Sequence, residues 1–123
     1  MSHGTSTIIA VAVLAIIVTA GCVANDSTAG SLYRRLQAED PAVRIQAARA
    51  AAQRKDRQAV GLLIDRLSDP EDDVRFFSHI ALRKITGQDF GWQPWQPQTV
   101  RREAVRQWRA WWLARQGGSP QAA

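Results

Sequence analysis

The sequence predicts an all-α fold, a short α-solenoid of helical hairpins closed by a tryptophan-rich C-terminal helix. Three observations carry that reading. The chain matches itself at a shift of 31 positions without a gap: Leu63 falls on Leu32, Arg66 on Arg35, Leu67 on Leu36, Val74 on Val43, Arg75 on Arg44 and Ala81 on Ala50. A fixed period of about 20 to 50 residues is the signature of stacked repeats. Apolar residues recur at three-to-four spacing through most of the chain after residue 31, the period of a helix with one buried face. The turns Asp40-Pro41 and Asp69-Pro70 punctuate those runs, with aspartate suited to an N-cap and proline to a first helical turn.

The elements follow in order. Ser31 is a plausible N-cap for a helix near 32–38 that carries Leu32 and Leu36 on one face. A second helix, near 41–53, starts at Asp40-Pro41 and puts Val43, Ala47, Ala50 and Ala51 on one side, with Ala48 and Ala52 as a second strip. Small residues on two strips allow close approach to two neighbours. Arg54-Lys55-Asp56 breaks the pattern, and a third helix near 58–67 buries Val60, Leu63, Ile64 and Leu67. A fourth, near 71–86, opens with Glu71, Asp72 and Asp73, where negative charge complements the helix dipole. Val74, Phe77, Ala81, Leu82 and Ile85 form its core stripe, while Phe76 and Ile80 on another side imply that this helix is covered on two faces. His79, among apolar residues, reads as a partly buried structural histidine, since no Ser, Cys or Asp is placed to work with it as a nucleophile or base. Gly87 suits a left-handed helix end.

Residues 88–97 contain Gly91, Pro94 and Pro97 and cannot form a regular helix. Phe90, Trp92 and Trp95 nevertheless require an ordered loop folded back on the helices. Helical spacing returns over 98–115, with Val100, Ala104, Trp108, Trp111 and Trp112 on one broad face and arginines on the remainder. The five tryptophans seal the end of the solenoid, as terminal repeats require, and an exposed Trp92 or Trp95 would give a binding contact.

The N-terminus reads as an export segment. Ile8–Val18 is an unbroken apolar run of 11 residues, too short for a comfortable span of about 20 and suited to a signal-peptide core. Residues 1–21 are therefore expected to be a signal peptide, 22–30 a lipidated Cys22 with a flexible tether, 31–116 the repeat domain, and 117–123 a disordered tail.

Two family resemblances rest on these residues. Thr19-Ala20-Gly21-Cys22 resembles the lipobox of bacterial lipoproteins. That implies diacylglycerol on the Cys22 sulfur, cleavage after Gly21, and a membrane-anchored protein of the cell envelope facing the periplasm or exterior. Thr19 replaces the leucine usual at that position, and the stretch before the apolar run carries only His3 where Lys or Arg is usual. Asp40-Pro41-Ala42-Val43-Arg44 and Asp69-Pro70-Glu71-Asp72-Asp73-Val74-Arg75 look like HEAT repeats of the short, phycobilisome-lyase-like bacterial kind. The resemblance implies that Arg44 and Arg75 pair with the Asp40 and Asp69 to Asp73 turns. Phe77, Ser78 and His79 stand where that family usually has small alanines. Ile85 to Gly91 with Trp108, Trp111 and Trp112 resembles the closing cap of such proteins.

Composition narrows the function classes. The 123 residues carry 16 basic against 11 acidic side chains, every one after residue 25, and only Lys55 and Lys84 among the bases are not arginine. One cysteine excludes an internal disulfide, and two histidines, one at position 3, put a Cys/His zinc site out of reach. No metal, cofactor, small-molecule substrate or nucleic-acid partner is expected, and no nucleophile–base pair is evident. The expectation is a lipid-anchored, non-enzymatic interaction module with an unidentified protein partner, meeting it through Trp92, Trp95, Arg102, Arg106 and Arg109. Two alternatives stand beside it. One is an accessory factor akin to HEAT-repeat chromophore lyases, which rests on fold analogy. The other is a binder of anionic lipid or polymer, because Arg102, Arg106 and Arg109 share one face of the last helix.

Overall fold

The structure, a computed structural model, describes residues 30–116. The expected signal peptide, Cys22, the tether up to residue 29 and the tail 117–123 lie outside the described residues. The described part is helical throughout, with no strand among its residues: α1 (residues 30–35), α2 (Pro41–Arg54), a 3₁₀ turn (Arg57–Ala59) running into α3 (Val60–Arg66), α4 (Asp72–Thr86) and α5 (Gln98–Arg115). Residue 30, assigned to the tether, is already helical, so Ser31 lies inside α1 rather than capping it. That helix also ends at residue 35 instead of 38.

The 31-residue period holds in the backbone, since α2 begins at Pro41 and α4 at Asp72. The two starts are built differently. Asp40 is the N-cap of α2, its carboxylate accepting from Ala42 N at 2.9 Å. The cap of α4 is Glu71, whose side chain makes no capping bond, while Asp69 lies two residues earlier and accepts from Glu71 N at 3.0 Å. The two Asp-Pro pairs are therefore not equivalent positions. At its other end α2 stops on Lys55, which takes a left-handed conformation (φ 49°) and returns its N–H to the carbonyls of Ala51 and Ala52. α4 stops on Gly87 at φ 77°, a conformation glycine adopts without the clash a Cβ would bring.

α2 packs along α4, and α3 packs against both α4 and α5. Ala47, Ala48, Ala51 and Ala52 of α2 are buried, the close-approach surface that the small residues implied. Val60, Leu63, Ile64 and Leu67 are all buried, as are Leu32 and Leu36. Burying each large aliphatic side chain contributes about 1.5 to 3 kcal/mol relative to exposure.

Three expectations about burial fail. Phe76 and Ile80 remain 42% and 39% exposed, so only one face of α4 is fully covered. Val100 is 45% exposed, because it sits in the first turn of α5 and Val105 enters the core in its place. Trp92 is completely buried, so the 88–97 segment contributes a core residue where a surface contact was expected.

Candidate functional site

The side chains with interaction chemistry fall into three places. The first is the bridge between successive helix starts. Arg44, on α2, is buried among main-chain acceptors: Nη1 donates to the carbonyls of Ala38 and Glu39 at 2.7 and 2.8 Å. Its Nη2 donates to Asp69 at 2.9 Å, and Nε lies 2.9 Å from the other carboxylate oxygen as a close ion pair. Asp69 also takes Arg66 at 3.4 Å. Arg44 thus reaches the acidic group of the following turn, whereas the Asp40 carboxylate is occupied in capping. Arg75 follows the expected local pattern, bonding the Asp69 and Pro70 carbonyls at 2.6 and 3.3 Å and pairing with Asp72. Asp73 is exposed and makes no ion pair among the described residues.

The second place is the aromatic end. Trp108 is fully buried, edge-on to Phe90 at 4.8 Å and to Trp111 at 5.9 Å between centroids, and Trp111 stacks on Trp112 at 6.3 Å. Trp92 lies 4.8 Å from the ring of His79. His79 does have a carboxylate neighbour: its Nε2 is 3.7 Å from Asp89, which also pairs with Arg83 at 3.2 Å. Sequence reasoning missed Asp89 because it lies beyond the end of α4 and returns only through the turn at Gly87. Burial is the largest influence on His79 and lowers its pKa; Asp89 opposes that shift and Arg83 adds to it. The imidazole is held toward its neutral form.

The third place is the surface. Trp95 is 78% exposed. Arg102, Arg106 and Arg109 do not act as one strip. Arg106 is tied to Glu103 in its own helix, and Arg109 pairs with Asp65 of α3 at 3.2 Å. Arg102 lines a cleft of about 410 Å³ beside the Asp69-Pro70 turn, together with Arg75 and Arg101. Elsewhere, Phe77, Ile80 and Lys84 of α4 line a shallow groove with Arg49, Ala52 and Gln53 of α2. Arg49 lies 5.9 Å from the Phe77 ring centroid, a cation–π distance.

This arrangement of repeated helix starts, bridged by a buried arginine–aspartate pair and capped by aromatics, defines a short helical-repeat solenoid. The family model of HEAT repeats matches residues 11–90, and the chain belongs to that family. The match stops short of α5, the helix that departs from the period. No curated protein and no solved structure matches the chain. HEAT repeats commonly mediate protein–protein interaction. Among the described residues no helix is long and apolar enough to cross a membrane.

Proposed function

We propose that the protein is a non-enzymatic interaction module, an adaptor or scaffold of the bacterial cell envelope held at the membrane through a lipid on Cys22. In this reading it is a small exported HEAT-repeat protein of the phycobilisome-lyase-like kind. The observation that carries the interaction role is the uncovered face of α4. Phe76 and Ile80, one helical turn apart, stay 42% and 39% exposed beside the groove that runs between α2 and α4. Ile80 lines that groove with Phe77, and with the exposed Phe76 beside them on α4 they provide a core for a partner's apolar residues, while Lys84 and Arg49 provide a charged rim. The anchor is supported by Thr19-Ala20-Gly21-Cys22 following an apolar run of signal-peptide length.

The test is proximity crosslinking in cells that express the full chain, compared with Phe76→Glu/Ile80→Glu and with Cys22→Ser. The adaptor reading expects a discrete protein partner with the wild type, lost in the first variant while its helical circular dichroism is unchanged. Cys22→Ser should lose fatty-acid labelling and membrane retention. Capture that is indifferent to Phe76→Glu/Ile80→Glu would refute the surface, and persistent labelling of Cys22→Ser would refute the anchor.

A further inference from the structure

The bridge between helix starts is complete at one step and half-built at the next. At the first step Arg44 holds two main-chain carbonyls and the Asp69 carboxylate. Thirty-one residues later Arg75 repeats the main-chain half on the equivalent carbonyls, Asp69 and Pro70, but its Nη2 turns to Asp72 of its own helix and no carboxylate from a following turn meets its Nε. The position that would supply the carboxylate, 31 residues after Asp69, is Val100. In that region lies the 410 Å³ cleft, between the Asp69-Pro70 turn and the start of α5, lined by Arg75, Arg101, Arg102 and Gln98.

The charge in the cleft is unbalanced. Asp69 borders it, but its oxygens are committed to Arg44, Arg66 and the Glu71 N–H. Arg75 has one carboxylate partner among the described residues, Asp72, whose side chain is 84% exposed, and the buried Arg75 Nε has no hydrogen-bond partner. Arg101 and Arg102 pair with no acid among the described residues. Burial, followed by the proximity of Arg75, lowers the Arg101 pKa, with Asp72 opposing. Guanidinium groups brought together and partly dried are stabilised by an anion that can take several of their N–H groups at once.

We propose that this cleft takes the side-chain carboxylate of an aspartate or glutamate in an acidic segment of a partner protein, completing the step that Asp69 completes one repeat earlier. The chemistry follows from the molecule itself: in the equivalent frame the occupant of the Arg44 fork is a carboxylate. The inference deepens the interaction-module reading and rests on it. It places a second contact on the protein, between the Asp69-Pro70 turn and the start of α5, that shares no lining residue with the groove at Phe77 and Ile80.

The experiment is a titration of the ¹⁵N-labelled full chain in detergent micelles with a hexa-aspartate peptide, followed on the arginine Nε–Hε resonances. Saturable movement of the Arg75 and Arg101 signals is expected. Arg101→Gln/Arg102→Gln should weaken the peptide about tenfold or more, the loss expected for charged hydrogen bonds, while Arg106→Gln should bind as the wild type does. Equal weakening by Arg106→Gln, or no movement of Arg75, overturns the assignment. So does saturation by inorganic phosphate or by phosphatidylglycerol in the micelles at concentrations where the peptide has no effect. If partner crosslinking through Phe76 and Ile80 persists while the peptide fails, the cleft assignment falls alone. If the peptide binds but no partner crosslinks, the adaptor reading falls and the cleft stands.

Discussion

The repeat half of the molecule and its C-terminal end are held by different forces. From α1 to α4 the helices approach on alanines and short aliphatic side chains, and successive helix starts are tied by Arg44 and Asp69. Beyond Gly87, among the described residues, the ion pairs Arg83–Asp89 and Arg109–Asp65 are half-exposed, no buried pair joins helix starts, and Phe90, Trp92 and Trp108 fill the space with large rings. A repeat that has a successor can use the successor's turn as its partner. The last one cannot, and bulk takes the place of periodicity.

The comparison breaks most visibly at Trp108. Truncating a buried tryptophan to alanine costs about 3 to 5 kcal/mol, out of the roughly 5 to 15 kcal/mol that a domain of this kind possesses. Trp108→Ala should lower the urea midpoint severely, with Arg109→Ala as a comparator that moves it by about 0.5 kcal/mol or less. An unmoved midpoint together with lost partner capture would make the aromatic end a binding platform and not a seal.

A smaller effect is expected in the repeat half. Asp69→Asn keeps an acceptor for the Glu71 N–H but removes the charge from the Arg44 fork, and hydrogen bonds to charged groups contribute about 1.5 to 3 kcal/mol. Because both side chains are almost completely buried, the loss should persist at roughly 0.5 M salt, where exposed pairs are screened. Disappearance of the difference in salt would place this bridge among surface pairs.

The smallest effect lies where the two regions meet. His79 has its folded pKa lowered, chiefly by burial. The unfolded chain therefore takes up the proton first on acidification, and stability that is full above about pH 6.5, the ordinary histidine value, is lost as the pH falls through the folded pKa. Urea midpoints measured at about pH 7.5 and pH 5 should differ in that direction, and His79→Gln should reduce the difference. A midpoint that rises on acidification in the wild type, and not in the variant, would mean that Asp89 outweighs burial.

Much of this fold was legible because periodicity reports burial directly. The stripe Val60, Leu63, Ile64 and Leu67 is buried as its spacing requires, and α5 spans Gln98–Arg115 as its pattern implied. The readings that failed concern partners that periodicity does not contain. Apolar spacing placed Phe76 and Ile80 on one side of α4 but could not say whether another helix lay over them. The loop folds back on the helices as its aromatics require, yet Trp92, a candidate contact by its loop position, is core, its ring meeting His79 of the preceding helix. The Asp-Pro pairs invited alignment with each other, whereas the ungapped shift aligns Pro41 with Asp72; that register explains why Arg44 finds Asp69 across the step. Among the candidate arginines, a shared three-to-four spacing concealed three fates, decided by Glu103, Asp65 and the cleft.

The contact between Arg109 and Asp65 also bears on how the chain assembles. Those residues are 44 apart, whereas Arg44 and Asp69 are 25 apart. The entropy of drawing two points of a flexible chain together grows as the logarithm of their separation, which makes the longer closure costlier by only about 0.5 kcal/mol. The larger difference is one of timing. In N-to-C synthesis every residue needed to lay α4 along α2 has been made before the first residue of α5 exists. The pairing of α2 with α4 therefore does not wait on α5, which adds Trp108, Trp111 and Trp112 to a stack the earlier sequence already specifies.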